Sequence, residues 1–453
     1  MLHAALTALL ALQSASGSPN VVPPSSSGGG ATQTNPTSSS GGGGVTYANP
    51  PSSGSAPPAE APAAPSEGTP AEVAAAPAPA PTSAPPPTPT PAPRRAAPAP
   101  AQRGSADGLL VVNKTDSTVS ILDPFTGKAR VTLQVDLGPH EVEMLADGQT
   151  AAVASYGTKA EPGRYVSLVD VSAGKVVSRI DLGEGTRPHG LAALRNGHLL
   201  VTAEGKRELL VVDPRAGKVL ASIPTGRDVS HMVAATPDGK RAFVTSLASG
   251  SVTAVDLGTN KVLKDIPTGK GAEGLDVTPD GREVWVANRE ANTIVVIDIA
   301  TLAPVFTIQA PGFPIRVKIT PEGRRALATF TGAGEVRIYD TATRVETGRI
   351  PLGRDAVEGG ENRVFQKRFG TSPAPVGLLI TPDGKRAFVA ASHADVVSVI
   401  DLEKNRVDDA WTAGREPDGL AGHFVPKQPT PAPTAPRTAP APRGMNPLRK
   451  PPG

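Results

Sequence analysis

The sequence predicts an all-β fold, a seven-bladed β-propeller whose first and last blade is one sheet built from both ends of the repeat region. Three observations carry this. Runs rich in β-branched residues end in aspartate seven times, at Asp123, Asp170, Asp213, Asp256, Asp298, Asp340 and Asp401, at spacings of 47, 43, 43, 42, 42 and 61. A period of about 42 residues is the length of one four-stranded blade. Pro-Asp-Gly-type turns recur at Gly148, Gly197, Gly239, Gly281, Gly323 and Gly384, one fewer than the aspartates. The two ends of the repeat region supply the missing piece. It opens on Leu109-Leu110-Val111-Val112-Asn113, a second-strand pattern, and closes on Pro417-Asp418-Gly419-Leu420, which matches the first-strand start Pro188-His189-Gly190-Leu191. One strand from the end therefore joins three from the start, and this 1+3 closure removes the exposed edges of an open row of sheets.

Within a unit the signals come in order. Residues 274–278 make a first strand, and Pro279-Asp280-Gly281 supplies a fixed φ and then a φ > 0 for the turn. Residues 283–288 alternate apolar positions as a second strand, 293–298 form the third, and the turn 213–218 shows how a third strand passes to a fourth. The seven aspartates are expected to accept hydrogen bonds from turn backbone, as in Asx-turns, rather than to bind metal.

Outside the repeats the composition changes. Residues 19–103 are Ser/Gly-rich and then Ala/Pro-rich, and 427–453 return to Pro, Ala and Thr. Such segments bury too little apolar surface to offset ordering entropy and are expected to be disordered arms around a propeller at 104–426. The net charge of +3 divides into 0 for residues 1–103, +5 for 427–453 and −2 for the propeller. The basic balance thus belongs to a tail, and no nucleic-acid-binding face is expected. There is no cysteine, which excludes thiol chemistry and disulfides. No apolar run is long enough for a membrane span. Residues 2–12, followed by Ala15-Ser16-Gly17, resemble a short signal peptide within 1–18, so a periplasmic or extracellular location and a monomer are expected.

Units such as Pro188-His189-Gly190, Thr278-Pro279-Asp280-Gly281-Arg282 and Val284-Trp285-Val286-Ala287-Asn288 resemble the YVTN-type propeller repeat of bacterial surface and periplasmic proteins, an architecture shared with lactonase-like propellers. Phe243-Val244-Thr245-Ser246 comes nearest to the signature tetrapeptide. The resemblance implies the fold, and it is compatible with enzymes and binding proteins alike.

No phosphate loop, nucleophile elbow or zinc-protease motif occurs, so a site must come from ring geometry. The position eight residues before each turn glycine marks the start of an innermost strand. It reads His140, His189, His231, Glu273, Ile315 and Val376, with Asp418 as the seventh. A polar arc thus faces an apolar wall, and the next column adds Glu141 and Arg316 for an anion or carboxylate. His140, His189, His231 and Glu273 are candidate ligands for a divalent transition metal, or candidate acids and bases. An insertion at about 354–372, with Asp355, Glu358, Glu361, Arg363, Lys367 and Arg368, and a lengthened loop between Tyr156 and Tyr165 are both expected on this face. The expected function is an exported binding module that uses this top face for a protein, a cell-envelope component or a small molecule. The alternative is a lactonase- or lyase-like enzyme. Limited proteolysis is expected to trim both arms and leave 104–426 intact, melting like the full chain; protection of 19–103 would contradict this.

Overall fold

The computed structural model describes residues 107–353, 355–357, 363 and 366–424. The expected signal peptide, both arms and several residues of the insertion, including Arg354, Glu358 and Glu361, lie outside the described residues.

Seven four-stranded antiparallel sheets form the ring. In the first blade, Pro417–His423 pairs with Gly108–Asn113, which is followed by Thr118–Leu122 and Ala129–Gln134. The innermost strands of blades two to seven are Pro139–Met144, Pro188–Ala193, Ser230–Ala235, Ala272–Val277, Pro314–Ile319 and Pro375–Ile380. One short helix, Gln366–Phe369, lies in the insertion between blades six and seven.

The closing strand is held by register and by side chains. Leu110 lies opposite Ala421 and Val111 opposite Leu420. The Gly414 amide donates to Asn113 Oδ1 at 3.0 Å, and the Lys114 amide donates to the Glu416 carbonyl at 3.1 Å. Leu109, Val111 and Leu420 pack with Phe388, Val397 and Trp411 of the last blade, so closure also completes an apolar layer between blades. Similar layers fill the other interfaces, built from the alternating residues of facing strands.

All seven third-strand aspartates cap the turn that follows. Asp298 Oδ1, for example, accepts from the Thr301 amide and hydroxyl, both at 2.7 Å, and Asp123 Oδ1 accepts from the Phe125 and Thr126 amides at 2.9 and 2.8 Å. Bonds of this kind hold the carboxyl of Asp170, Asp213, Asp256 and Asp340 below the ordinary range as well, and that of Asp401 at about 2, where the Lys404 ammonium is the main cause.

Two backbone features recur at the start of every innermost strand. The residue before it is left-handed in all seven blades: Gly138, Arg187, Val229, Gly271, Phe313, Ala374 and Glu416, with φ between 47° and 74°. Five of these are not glycine, a conformation that L-residues adopt only under tertiary constraint. The inner strand then carries one extra residue against its neighbour, as where Pro188 pairs Ala203 but Leu191 pairs Val201. Such a bulge bends the strand and re-aims a side chain. Stopping the chain at Arg415 removes Pro417–His423 and leaves Gly108–Asn113 as a bare edge. A large drop in melting temperature with aggregation is expected; an unchanged melt would contradict the 1+3 closure.

Candidate functional site

The kink and bulge turn seven consecutive positions toward the channel mouth: Asp418, His140, His189, His231, Glu273, Ile315 and Val376, in ring order. They line one chamber of about 100 Å³, together with Arg316 from the next column. The side chains expected from the sequence are therefore brought together. Glu141 stands just behind, in contact with Arg316.

The site also contains a second ring that the reading of the sequence did not pick out. In each blade, the residue after the second-strand residue that pairs with the start of the inner strand reads Lys114, Tyr156, Glu204, Leu247, Arg289, Thr331 and Ser392. Lys114, Arg289 and Ser392 line the chamber, and His393 joins them. Counting forward from the second strands at the blade period would have found this column.

Around His231 the two rings interlock. Its Nδ1 meets Glu204 Oε1, its Nε2 stands 2.7 Å from Glu273 Oε1, and Arg289 Nη1 lies 2.8 Å from Glu273 Oε2. Burial alone would push His231 toward its neutral form, but the Glu273 and Glu204 carboxylates outweigh it and raise the imidazole to about 10. Burial likewise opposes ionisation of Glu273, yet Arg289 and His231 hold its carboxyl down at about 2. His231 is thus an imidazolium fixed between two carboxylates at neutral pH.

His140 and His189 behave oppositely. Burial, with the neighbouring cations, drives both well below the ordinary histidine range, so both are neutral. His189 Nε2 lies 3.1 Å from His140 Nδ1, and the His189 ring packs on His231 at a tilt of 34° with centroids 4.0 Å apart. Tyr156 packs edge-on against His189 at 5.6 Å. Of the four expected metal ligands, His140 and Glu273 contact the rear nitrogens of His189 and His231. The group whose ligand atoms lie within 4.8 Å of one another is His189, Glu204 and His231.

On the other side of the chamber Arg316 faces two carboxyl groups. It contacts Glu141 and lies 4.0 Å from Asp418, which in turn is 3.4 Å from His140 Nδ1. Burial raises both carboxyl groups, Glu141 to about 7, because one guanidinium cannot offset two desolvated charges.

The described part of the insertion stands on this same face. The Val357 amide donates to the His393 carbonyl at 2.8 Å, and Arg363 makes a two-pronged pair with Asp395 at 2.6 Å per bond. The Phe369 ring packs on Phe313, 4.9 Å between centroids. The lengthened hairpin ending in Gly157 and Pro162 brings Tyr156 to the chamber mouth.

Residues 198–359 match the family described as YNCE-like beta-propeller. That match and the seven-bladed ring bear out the YVTN-type resemblance read from the repeats. Among solved structures, hydrazine synthase from Kuenenia stuttgartiensis is similar with a TM-score of 0.51 and 19% identity, over 62% of this chain and 88% of that one. A functionally unknown protein from Desulfotomaculum acetoxidans DSM 771 is similar with a TM-score of 0.58 and 12% identity, over 70% and 98%. Identities this low speak for fold alone. None of the curated proteins matches the chain.

The imidazolium at His231 predicts an alkaline limb in stability. Its folded-state pKa lies above the ordinary value of 6.5, so its contribution is complete below 6.5 and is lost as pH rises through about 10. His231→Gln should be destabilised by about 3–5 kcal/mol at pH 7, because a buried pair loses one partner. It should also lack the decline between pH 7 and 10 expected of the wild type. Parallel stability–pH curves for the two proteins would contradict the assignment.

Proposed function

We propose that this YVTN-type propeller is an exported binding module whose central chamber takes a small carboxylate-bearing ligand from the top face. The observation that carries the reading is Arg316. The residue is 5% exposed and lines the chamber, and its Nη2 is committed to Glu141. Its Nη1 is buried with no hydrogen-bond partner among the described residues. A buried N–H without an acceptor is costly, and an incoming carboxylate oxygen removes that cost with a charge-assisted bond. Ile315 and Val376 offer an apolar wall to the ligand's hydrocarbon part. About 100 Å³ is well below the roughly 300–1,000 Å³ of drug-sized sites, which favours a ligand of a few heavy atoms. The top-face loops and insertion supply a surface on which a protein or cell-envelope partner would dock. Export rests on the leader-like residues 2–12 and on the Pro-rich segment that follows.

A second reading, acid–base catalysis of lactonase or lyase type, is favoured by one feature. The Glu141 carboxyl is poised near neutrality beside Asp418 and the neutral His140.

Calorimetric titration with acetate, propionate, glycolate, succinate and phosphate tests the binding role. At least one carboxylate should bind while its amide analogue does not. The Glu141→Gln/Arg316→Gln double variant, which removes both charges of the pair, should fold and lose about 10- to 100-fold in affinity. Equal affinity in that variant, or no binding by any carboxylate, would contradict it. Saturable lactone turnover abolished by Glu141→Gln would favour the catalytic reading instead.

A further inference from the structure

We propose that His189, His231 and Glu204 hold one divalent transition-metal ion at the wall of the chamber, with an open coordination position toward its interior. This deepens the binding role above, since ion and guanidinium would then grip one carboxylate from two sides, but it stands on separate observations.

The first is proximity across elements. His189 and His231 begin the innermost strands of adjacent blades, Glu204 follows the second strand Leu199–Ala203, and one ligand atom of each lies within 4.8 Å of the other two. Metal–nitrogen and metal–oxygen bonds of about 2.0–2.2 Å draw such a group together.

The second is the support behind each imidazole. His231 presents Nδ1 to Glu204, while Nε2 is held 2.7 Å from Glu273, itself fixed by Arg289 at 2.8 Å. A histidine whose rear N–H is held by a carboxylate is the usual support of a metal ligand, because it sets ring orientation and tautomer.

The third is an unmatched atom. His189 Nε2 lies 3.1 Å from His140 Nδ1, and with the proton of that bond on His189 its Nδ1 carries a free lone pair. That Nδ1 is buried with no hydrogen-bond partner among the described residues, in a side chain only 4% exposed. A purely structural ring would have satisfied it.

Two imidazoles and one carboxylate suit zinc, iron or manganese and leave at least one position free. A cation there replaces the proton that His231 and Glu204 otherwise share. The nearby positive charges do not forbid it, because Arg289 is paired with Glu273 and Arg316 with Glu141. His140 and Glu273 then become positioning residues, and Glu204 becomes a ligand.

The test uses full-length protein stripped with chelator and titrated with Co(II), followed by equilibrium dialysis and visible absorption. One Co(II) per chain is expected, with ligand-field bands, displaced by one Zn(II). Glu204→Gln keeps the shape of the side chain and should cost about 100-fold or more in affinity; His140→Ala and Glu273→Gln should cost about 10- to 100-fold. Each variant's melt establishes that it folds. No stoichiometric Co(II) in the wild type, or wild-type affinity in Glu204→Gln, overturns the proposal. Carboxylate titration of the stripped protein separates the two readings. Binding without metal upholds the chamber even if Co(II) fails, and Co(II) uptake without carboxylate binding upholds the ion alone.

Discussion

The close approach of the innermost strands around the channel is the constraint on which the rest of the structure depends. A Cβ on Gly190 would lie 2.6 Å from the His231 carbonyl oxygen, on Gly274 2.3 Å from that of Ile315, on Gly377 2.0 Å from that of Asp418, and on Gly419 2.6 Å from that of His140. Four of the seven blades can therefore carry only glycine at this position, because backbone meets backbone there. The remaining three carry Glu141, Met232 and Arg316. The ring is narrow enough at this level that a glutamate of the second blade and an arginine of the sixth meet, 175 residues apart in sequence. Arg316 of this pair lines the chamber, and Glu141 holds it there.

That crowding sorts the polar groups by charge. On one wall, Glu204 and Glu273 flank His231 and make it a fixed cation. On the opposite side one guanidinium serves two carboxyl groups, and burial raises both. Between them His140 and His189 are neutral because burial and the neighbouring cations both disfavour a further positive charge there. A structural ring would be expected to exhaust its hydrogen bonds. Here a donor on Arg316 and a ring nitrogen on His189 have no hydrogen-bond partner among the described residues, in the same chamber. Both facts point toward a polar guest, and the apolar side at Ile315 and Val376 gives that guest an orientation.

Much of this was legible in the sequence because it follows from period. The aspartates from Asp123 to Asp401 set the blade count, and Leu109 to Asn113 against Pro417 to Leu420 implied the shared blade. Counting back eight residues from the turn glycines found the inner column, since the bulge recurs at the same place in each unit. The second column escaped because its members, from Lys114 to Ser392, share no chemistry, so similarity between repeats does not mark them. Glu204 and Arg289 act through geometry rather than motif. The contact of Glu141 with Arg316 was hidden for another reason: it depends on ring curvature, which no local pattern encodes. The left-handed Arg187 and Val229 also carry no sequence signal, because tertiary packing rather than residue preference holds them there.

His231 is a locked imidazolium beside the neutral rings of His140 and His189, and His189 Nδ1 has no hydrogen-bond partner among the described residues. Nitrogen-15 NMR of histidine-labelled protein reads this directly, because imidazolium, Nδ1–H and Nε2–H forms have distinct shifts. At pH 7.5, in protein stripped of metal, His231 should be doubly protonated, and His189 neutral with its proton on Nε2 and none on Nδ1. Three histidines titrating together near pH 6.5, or a His189 protonated on Nδ1, would contradict it.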